Sequence, residues 1–178
     1  MLAAMISSIE EVGGFFTSVP LIVFLPLAGL LLNLILGAIF KDRWGERASS
    51  VIAIAAVLGA FVVSVLQWFS LQGHHEGVTV MFKEWIQIGA LDIPWEFRVD
   101  TLSVTMMLVV SGVGTLIHIY AAGYMHYDVR YKEDPASYRR FFIYLNLFIA
   151  MMMVLVSGNS YLMLFVGWEG VGLCSFLL

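Results

Sequence analysis

The stretch Ser160–Leu178, SYLMLFVGWEGVGLCSFLL, is 19 residues long, and Glu169 near its midpoint is its only charged side chain. A helix of about 20 apolar residues crosses the hydrocarbon core of a bilayer. A carboxylate at the centre of such a helix costs about 2.5–3.5 kcal/mol on insertion scales. Apolar surroundings disfavour its charged form and a nearby cation favours it, so Glu169 is a candidate for taking up and releasing a proton. The alternative is a protonated carboxyl that is hydrogen-bonded to a neighbouring helix.

The composition of the whole chain indicates an integral membrane protein. Of its 178 residues, 61% are hydrophobic and 12% are charged, and the mean hydropathy is +0.92. Soluble domains carry about 25% charged residues. The net charge of −4 gives no indication of nucleic-acid binding. The single cysteine, Cys174, has no second cysteine with which to form an intrachain disulfide.

Five apolar runs predict five transmembrane helices, because a segment inside lipid must satisfy its backbone hydrogen bonds internally. Glu169 is the only Asp, Glu, Lys or Arg within these runs. We expect residues 1–178 to form a single membrane domain. The runs are about 18–40, 49–71, 101–123, 141–157 and 160–178.

The loop between the second and third runs has the pattern of a β-hairpin. Val78, Val80 and Phe82 occupy alternate positions, and a turn at Gly89 precedes a second mixed segment. This alternation around a central turn favours two paired strands over about 78–99. An irregular surface loop is the alternative. The predicted fold class is therefore an all-α integral membrane protein with a hairpin in the outer loop between helices 2 and 3.

The distribution of basic residues predicts the orientation in the membrane. Seven Lys and Arg residues lie in the first loop, between runs one and two, and the third loop, between runs three and four. Only two lie in the loop after the second run. Because cytoplasmic loops carry the excess of basic residues, we expect these two loops inside and the N-terminus outside. Residues 1–17 contain no Lys or Arg, so the sequence predicts no secretory signal there.

His118 and Asp100 are the other ionisable candidates. The 18 residues between them make five turns at about 3.6 residues per turn, so both lie on one helix face. Histidine titrates near neutral pH and can shuttle protons, but a neutral histidine bonded to a carbonyl is the alternative. Asp100 marks the start of the third run, where it can equally be a helix N-cap. Asn146, at a depth comparable to His118, can hold a water.

The remaining motifs predict no metal, catalytic or cofactor-binding residue on this chain. Gly167, Gly170 and Gly172 favour close helix approach, as small residues do in membranes. They do not form a phosphate loop, since no strand precedes them and no lysine follows. The adjacent residues of His74–Glu76 cannot share one helix face, so we do not expect them to bind a metal.

Several motifs together resemble one family, the largest antiporter-like subunit of respiratory complex I. This subunit is called L in bacterial NADH-quinone oxidoreductase and subunit 5 in mitochondria. The resemblance extends from about residue 20 onward, although Phe176 stands where many relatives have tyrosine. The matching motifs are VDTLS at 99–103, HIY at 118–120, YM at 124–125, RFF at 140–142 and WEGVGLCSFLL at 168–178.

The resemblance implies proton translocation coupled to electron transfer from NADH to quinone. It implies that Glu169 is central to a proton channel, where it interacts with a lysine on a later helix, and that His118 and Asp100 are buried polar groups near that route. NADH, FMN, iron–sulfur clusters and quinone are expected on other subunits, with no redox chemistry on this chain. The expected partners are other membrane subunits of complex I and the lipid bilayer. A bacterial inner membrane is favoured over the mitochondrial inner membrane.

Members of this family are several times longer, so we expect this chain to be an N-terminal portion, truncated at Leu178. One alternative is the large subunit of an Mrp-type Na⁺/H⁺ antiporter, which needs no electron transfer. Another is an inert membrane fragment that moves nothing. The wording GVGLC at 170–174 favours complex I over the antiporter.

Overall fold

The computed structural model describes residues 15–40, 45–72, 77–89, 91–132 and 135–178. The interpretations of His74–Glu76 and of residues 1–14 lie outside this part of the chain. Helices make up most of the described residues. The elements are a 3-10 turn at Phe16–Ser18, α1 (Leu21–Ile39), α2 (Glu46–Leu71), β1 (Val78–Ile88), β2 (Leu91–Val99), α3 (Thr101–Lys132), α4 (Pro135–Ser157) and α5 (Tyr161–Leu177).

Four of these helices are long and apolar enough to cross a membrane. The four spans are Phe16–Ile39, Glu46–Leu71, Thr101–Tyr131 and Ala136–Ser157, while the apolar helix α5 has 17 residues. The predicted fold class is confirmed, since apolar helices dominate and an antiparallel hairpin separates α2 from α3.

Helices α3 and α4 continue beyond the apolar runs that predicted them. The apolar run in α3 ends at about residue 123, but the helix continues to Lys132. Helix α4 begins at Pro135, six residues before its apolar run. A helix does not have to end where its apolar segment ends, because polar side chains remain hydrated outside the lipid. Proline is well suited to a first helical position, since the amide hydrogen it lacks would have no partner there.

The helices pack as a bundle of α1 to α4, with α5 attached to α4. Helix α1 contacts α2 and α4, α2 also contacts α3, and α4 contacts α3 and α5. Val57, Met107 and Met153, one from each of α2, α3 and α4, are completely buried at the centre of the bundle. This packing brings residues from non-adjacent parts of the chain into one interior.

The hairpin forms from strands that pair antiparallel, with Val78 opposite Val99. Gly89 has a φ of 60° at the turn, in the left-handed region that favours glycine. The register shifts between Met81 and Lys83 and again between Glu84 and Ile86.

The hairpin is fixed to one end of the bundle, which we call the hairpin end. Phe97 is buried in the same apolar cluster as Phe16 from the 3-10 turn. The backbone N–H of Asn159 donates to the carbonyl of Glu96 at 3.1 Å, and the Asn159 amide donates to the Glu96 carboxylate at 2.8 Å. The opposite end, where α3 stops and α4 begins, is called the far end.

Candidate functional site

The ring of His118 is completely buried inside the bundle. Its Nδ1 atom lies 2.7 Å from the carbonyl oxygen of Gly114, one turn earlier in α3. Its Nε2 atom lies 2.9 Å from Oδ1 of Asn146 on α4. Both ring nitrogens therefore have a polar partner, and one of the two partners comes from a different helix.

Asn146 is itself completely buried and packs closely against α1. A Cβ on Gly29 would lie 2.5 Å from Nδ2 of Asn146 and 2.6 Å from Cβ of Ala56 on α2. Only a glycine leaves room for the amide at this point, which explains the close approach of the helices. Among the described residues, Nδ2 of Asn146 is buried without a hydrogen-bond partner.

Other polar side chains inside the bundle bond mainly to helix backbone. The amide of Asn33 on α1 donates to the carbonyl of Ser49 on α2 at 3.1 Å. The hydroxyls of Ser111 and Thr115 donate to carbonyls one turn earlier in α3, and Ser64 does the same in α2. Such bonds satisfy hydroxyl groups within one helix. The hydroxyl oxygens of Ser111 and Ser64 also lie 3.5 Å apart, between α3 and α2.

Glu169 lies on the exposed side of α5, away from the bundle. Across the described ranges, its carboxylate makes neither an ion pair nor a hydrogen bond. The opposite side of α5 touches α4 closely: a Cβ on Gly167 would lie 2.6 Å from the backbone nitrogen of Leu155, and one on Gly170 would lie 2.5 Å from the Met151 side chain. The predicted close approach is confirmed for these two glycines, whereas a Cβ on Gly172 would meet no atom of the described residues within 4 Å.

Asp100 lies at the hairpin end and caps α3. Its Oδ1 accepts a hydrogen bond from the backbone N–H of Ser103 at 2.8 Å, and its Oδ2 lies 3.4 Å from Nε of Arg98. Burial raises the pKa of Asp100, but the hydrogen bonds from Ser103 and Arg98 outweigh burial, and the net pKa lies below its ordinary value. The geometry matches the N-cap interpretation.

The structure keeps the three predicted proton-transfer residues apart. Asp100 bonds within its own turn and to the hairpin, His118 bonds across the bundle to α4, and Glu169 is exposed on α5. Asn146, which was predicted to hold a water, bonds directly to His118 through Oδ1. Sequence spacing carries no signal for that bond, because it joins residues 28 positions apart on two helices.

Sequence reasoning also missed the polar groups at the far end. Nδ1 of His126 on α3 lies 2.5 Å from Oε2 of Glu46 on α2. A cavity of about 590 Å³ opens at this end between α3, α4 and α5, and its lining includes Asp128, Arg140 and Tyr144. Polar and charged side chains thus gather at the far end of the bundle.

These features define a class: a multi-pass membrane protein with a histidine inside its helix bundle and a carboxylate on a further apolar helix. Comparison with known proteins gives the particular relatives. Residues 85–142 match the family described as "NADH-Ubiquinone oxidoreductase (complex I), chain 5 N-terminus".

Similarity to individual proteins covers most of the chain. The chain is 42% identical over 158 residues to NADH-quinone oxidoreductase subunit L of Mycobacterium tuberculosis, a match that covers 89% of this chain and 24% of that protein. It is 37% identical over 157 residues to NADH-ubiquinone oxidoreductase chain 5 of Aspergillus niger, covering 88% of this chain and 22% of that protein. A subunit L of Neisseria meningitidis is 38% identical over 162 residues, covering 89% of this chain and 22% of that protein.

The resemblance to subunit L of complex I, called chain 5 in mitochondria, is therefore confirmed. The chain spans less than a quarter of the length of each of these relatives.

Proposed function

We propose that this chain is the N-terminal portion of an antiporter-like, proton-translocating membrane subunit of NADH-quinone oxidoreductase. One observation carries the proposal: a chain similar to these subunits over 88–89% of its length has a carboxylate at the middle of an apolar helix. Glu169 occupies that position, and ionisable groups inside membranes are expensive and typically functional.

Glu169 is the proposed proton-transfer group of this chain. Its side chain is exposed on the face of α5 that turns away from α4. A cation that stabilises its charged form therefore has to come from outside the described residues. The family resemblance suggests a lysine on a later helix, and the exposed face of α5 is compatible with a helix packed there.

His118 and Asp100 are the proposed secondary proton-transfer groups. His118 is enclosed at the centre of the bundle and has polar partners at both ring nitrogens. Asp100 has a carboxylate held by Arg98 and by the start of α3. These bonds favour a role in positioning α3. A proton-transfer role for Asp100 also requires a path for protons between the interior of the bundle and the hairpin end.

The redox chemistry of such a complex belongs to other subunits. We propose that NADH, FMN, iron–sulfur clusters and quinone bind there, and that this chain contacts the other membrane subunits and the lipid. We also propose a bacterial inner membrane, with the N-terminus and the hairpin end outside. The excess of basic residues in the first and third loops supports this orientation.

The experiment replaces Glu169 by Gln in the full-length subunit of the assembled complex. Because the glutamine side chain cannot take up and release a proton, we expect the number of protons pumped per NADH to fall. Quinone reduction should fall less. Glu84→Gln is the matched control, since Glu84 is exposed on the hairpin. Unchanged pumping by an assembled Glu169→Gln complex would sink the proposal. Sodium-dependent transport in vesicles without NADH would favour the Mrp-type antiporter instead.

A further inference from the structure

The hydrogen bonds around His118 determine which ring nitrogen carries a proton. A backbone carbonyl can only accept a hydrogen bond, so Nδ1, 2.7 Å from the carbonyl of Gly114, must carry a hydrogen. In the neutral ring this leaves Nε2 with a lone pair and no hydrogen. The ring is thus held in the tautomer that is less favoured for histidine in water.

The partner at Nε2 must then change its role with the charge of the ring. A neutral ring needs a donor at Nε2, whereas a protonated ring donates there and needs an acceptor. The side chain of Asn146 offers both, since its NH2 group donates and its Oδ1 accepts. The two ends of the planar amide are nearly the same size, so a half-turn of the amide exchanges them within one packed space.

The packing around Asn146 shows which orientation suits which state. With Oδ1 placed 2.9 Å from Nε2, the geometry fits the protonated ring, and Nδ2 is left buried with no partner in the described residues. With the amide reversed, Nδ2 donates to the lone pair of Nε2 in a neutral ring, and Oδ1 takes the buried position that Nδ2 leaves. In the other orientation a neutral ring would hold the lone pairs of Nε2 and Oδ1 against each other, so the reversed orientation is the one that the neutral ring selects.

In the described part of the chain, no charged group competes with Asn146 for a hydrogen bond to the ring. Phe142 on α4 lies with its ring centre 6.2 Å from that of His118. Helix α1 has no ionisable residue over Leu21–Ile39. Among the described residues, none of the charged or titratable side chains on α2 and α4 bonds to His118. These are Glu46, Arg47, Tyr138, Arg139, Arg140 and Tyr144.

We propose that Asn146 is a positioning residue whose amide reverses when His118 gains or loses a proton, so that the pair forms a two-state proton-holding site. A hydrated proton adds to the lone pair of Nε2, and the ring gains one positive charge. The amide then turns its Oδ1 to accept from the new N–H, and release of the proton reverses both changes. The use of this site in pumping rests on the proposed function, whereas the hydrogen-bond exchange does not.

The test is nitrogen-15 solid-state NMR of the full-length subunit in its complex, with labelled histidine and asparagine. A His118→Gln sample identifies the His118 signals by difference. We expect a neutral ring with hydrogen on Nδ1 and a bare Nε2. On acidification, Nε2 should gain hydrogen at the same pH at which the Asn146 amide signal shifts. A neutral ring with hydrogen on Nε2, or an Asn146 signal that stays fixed while the ring titrates, overturns the inference.

Two variants keep the inference testable if one of them fails to assemble. Asn146→Asp offers an acceptor in either orientation, so we expect it to hold His118 protonated to higher pH. Asn146→Leu removes the partner, so the ring should titrate at lower pH than in the unaltered chain. Asn33→Leu is the matched control, because it removes another buried asparagine, which bonds to Ser49, and should leave the His118 signals unchanged. A His118 titration that is the same in both Asn146 variants overturns the inference.

The NMR result and the pumping result fail separately. Loss of the paired shift with pumping still sensitive to Glu169→Gln rejects the role of Asn146 alone. A paired shift in a complex whose pumping ignores Glu169→Gln rejects the proposed function alone.

Discussion

The interior around His118 and the exposed face around Glu169 deal with polarity in opposite ways. His118 has a partner at each ring nitrogen, one on its own helix and one on α4. Glu169 has none among the described residues and lies at the surface of an apolar helix. A polar group inside a membrane is stable only when its bonds are made, so the two regions differ in where their partners come from.

The α1 to α4 bundle therefore supplies the hydrogen-bond partners of its central histidine by itself. Helix α5 packs closely on α4, but the described residues supply no partner for its carboxylate. Helices α5 and α4 are in close contact, since a Cβ on Gly167 would lie 2.6 Å from the backbone nitrogen of Leu155. The exposed face of α5 is therefore held in a fixed direction by a well-packed opposite face. A charge presented in this way is accessible to a partner that approaches from outside the bundle.

Substitution of Gly167 should have the largest effect, because it disrupts the packing that fixes the direction of Glu169. A Cβ there would lie 2.6 Å from the backbone nitrogen of Leu155, which cannot rotate away as a side chain can. We expect Gly167→Ala to destabilise the subunit by about 2–3 kcal/mol, the upper part of the range for overpacking. The measurement is thermal unfolding of the full-length subunit in its purified complex.

Gly123→Ala on α3 is the control for this prediction. A Cβ at Gly123 would meet no atom of the described residues within 4 Å, and alanine favours the helix by about 0.5–1 kcal/mol over glycine. Equal melting temperatures for Gly167→Ala and Gly123→Ala would show that the contact between α5 and α4 is loose.

The interior can be tested in the same way at Gly29. A Cβ there would press on the Asn146 amide at 2.5 Å and on Ala56 at 2.6 Å. The amide can shift, but the Cβ of Ala56 is fixed to its backbone, so we expect Gly29→Ala to cost about 2 kcal/mol. Thermal unfolding measures the loss, and the His118 resonances should move with it.

Gly59→Ala is the control for this interior prediction, because its nearest neighbour is the flexible end of Leu25 at 3.2 Å. Stability and His118 resonances that respond equally to both substitutions would contradict a specific tight fit at Asn146.

The smallest expected effect is at Asp100, the carboxylate whose partners are already present. Asp100→Ala removes an N-cap, so we expect a loss of about 1 kcal/mol. Because the folded pKa of Asp100 is below its ordinary value, its contribution is present above the unfolded pKa and is lost as pH falls below about 4. Asn also caps helices well, so Asp100→Asn should keep most of the stability and lose this pH dependence. Unfolding temperatures measured between pH 3 and about 7 test both, and an unchanged pH dependence in Asp100→Asn would refute the assignment.

Local features of the fold could be predicted from the sequence. Apolar runs of about the length of a bilayer crossing predict helices, and the alternation around Gly89 predicts the hairpin, because each signal depends on neighbouring residues. The ends of α3 and α4 could not be predicted from hydropathy, since Lys132 is hydrophilic yet helical.

The site was less predictable than the fold, because its contacts join distant residues. Glu169 and His118 are identifiable as polar groups in apolar runs, but the partner of His118 depends on which helices become neighbours. Asn33 has the only amide side chain in α1 and therefore stands out within an apolar helix. Nothing in the sequence around it identifies Ser49 as its partner. The direction that Glu169 faces follows from Gly167 and Gly170, and three nearby glycines gave no basis for choosing between helix faces.

The bonds between Asn159 and Glu96 have a consequence for the order in which the protein is made. The two residues are 63 positions apart, with all of α3 and α4 between them. A ribosome completes the hairpin well before Asn159 emerges, so the hairpin first exists without its anchor. Its final attachment has to wait until α3 and α4 have both been inserted and Asn159 has returned to the same side of the membrane. The hairpin is thus attached to Asn159 late in synthesis. Its protection from protease in a pulse-labelled chain would report that α4 has crossed the membrane.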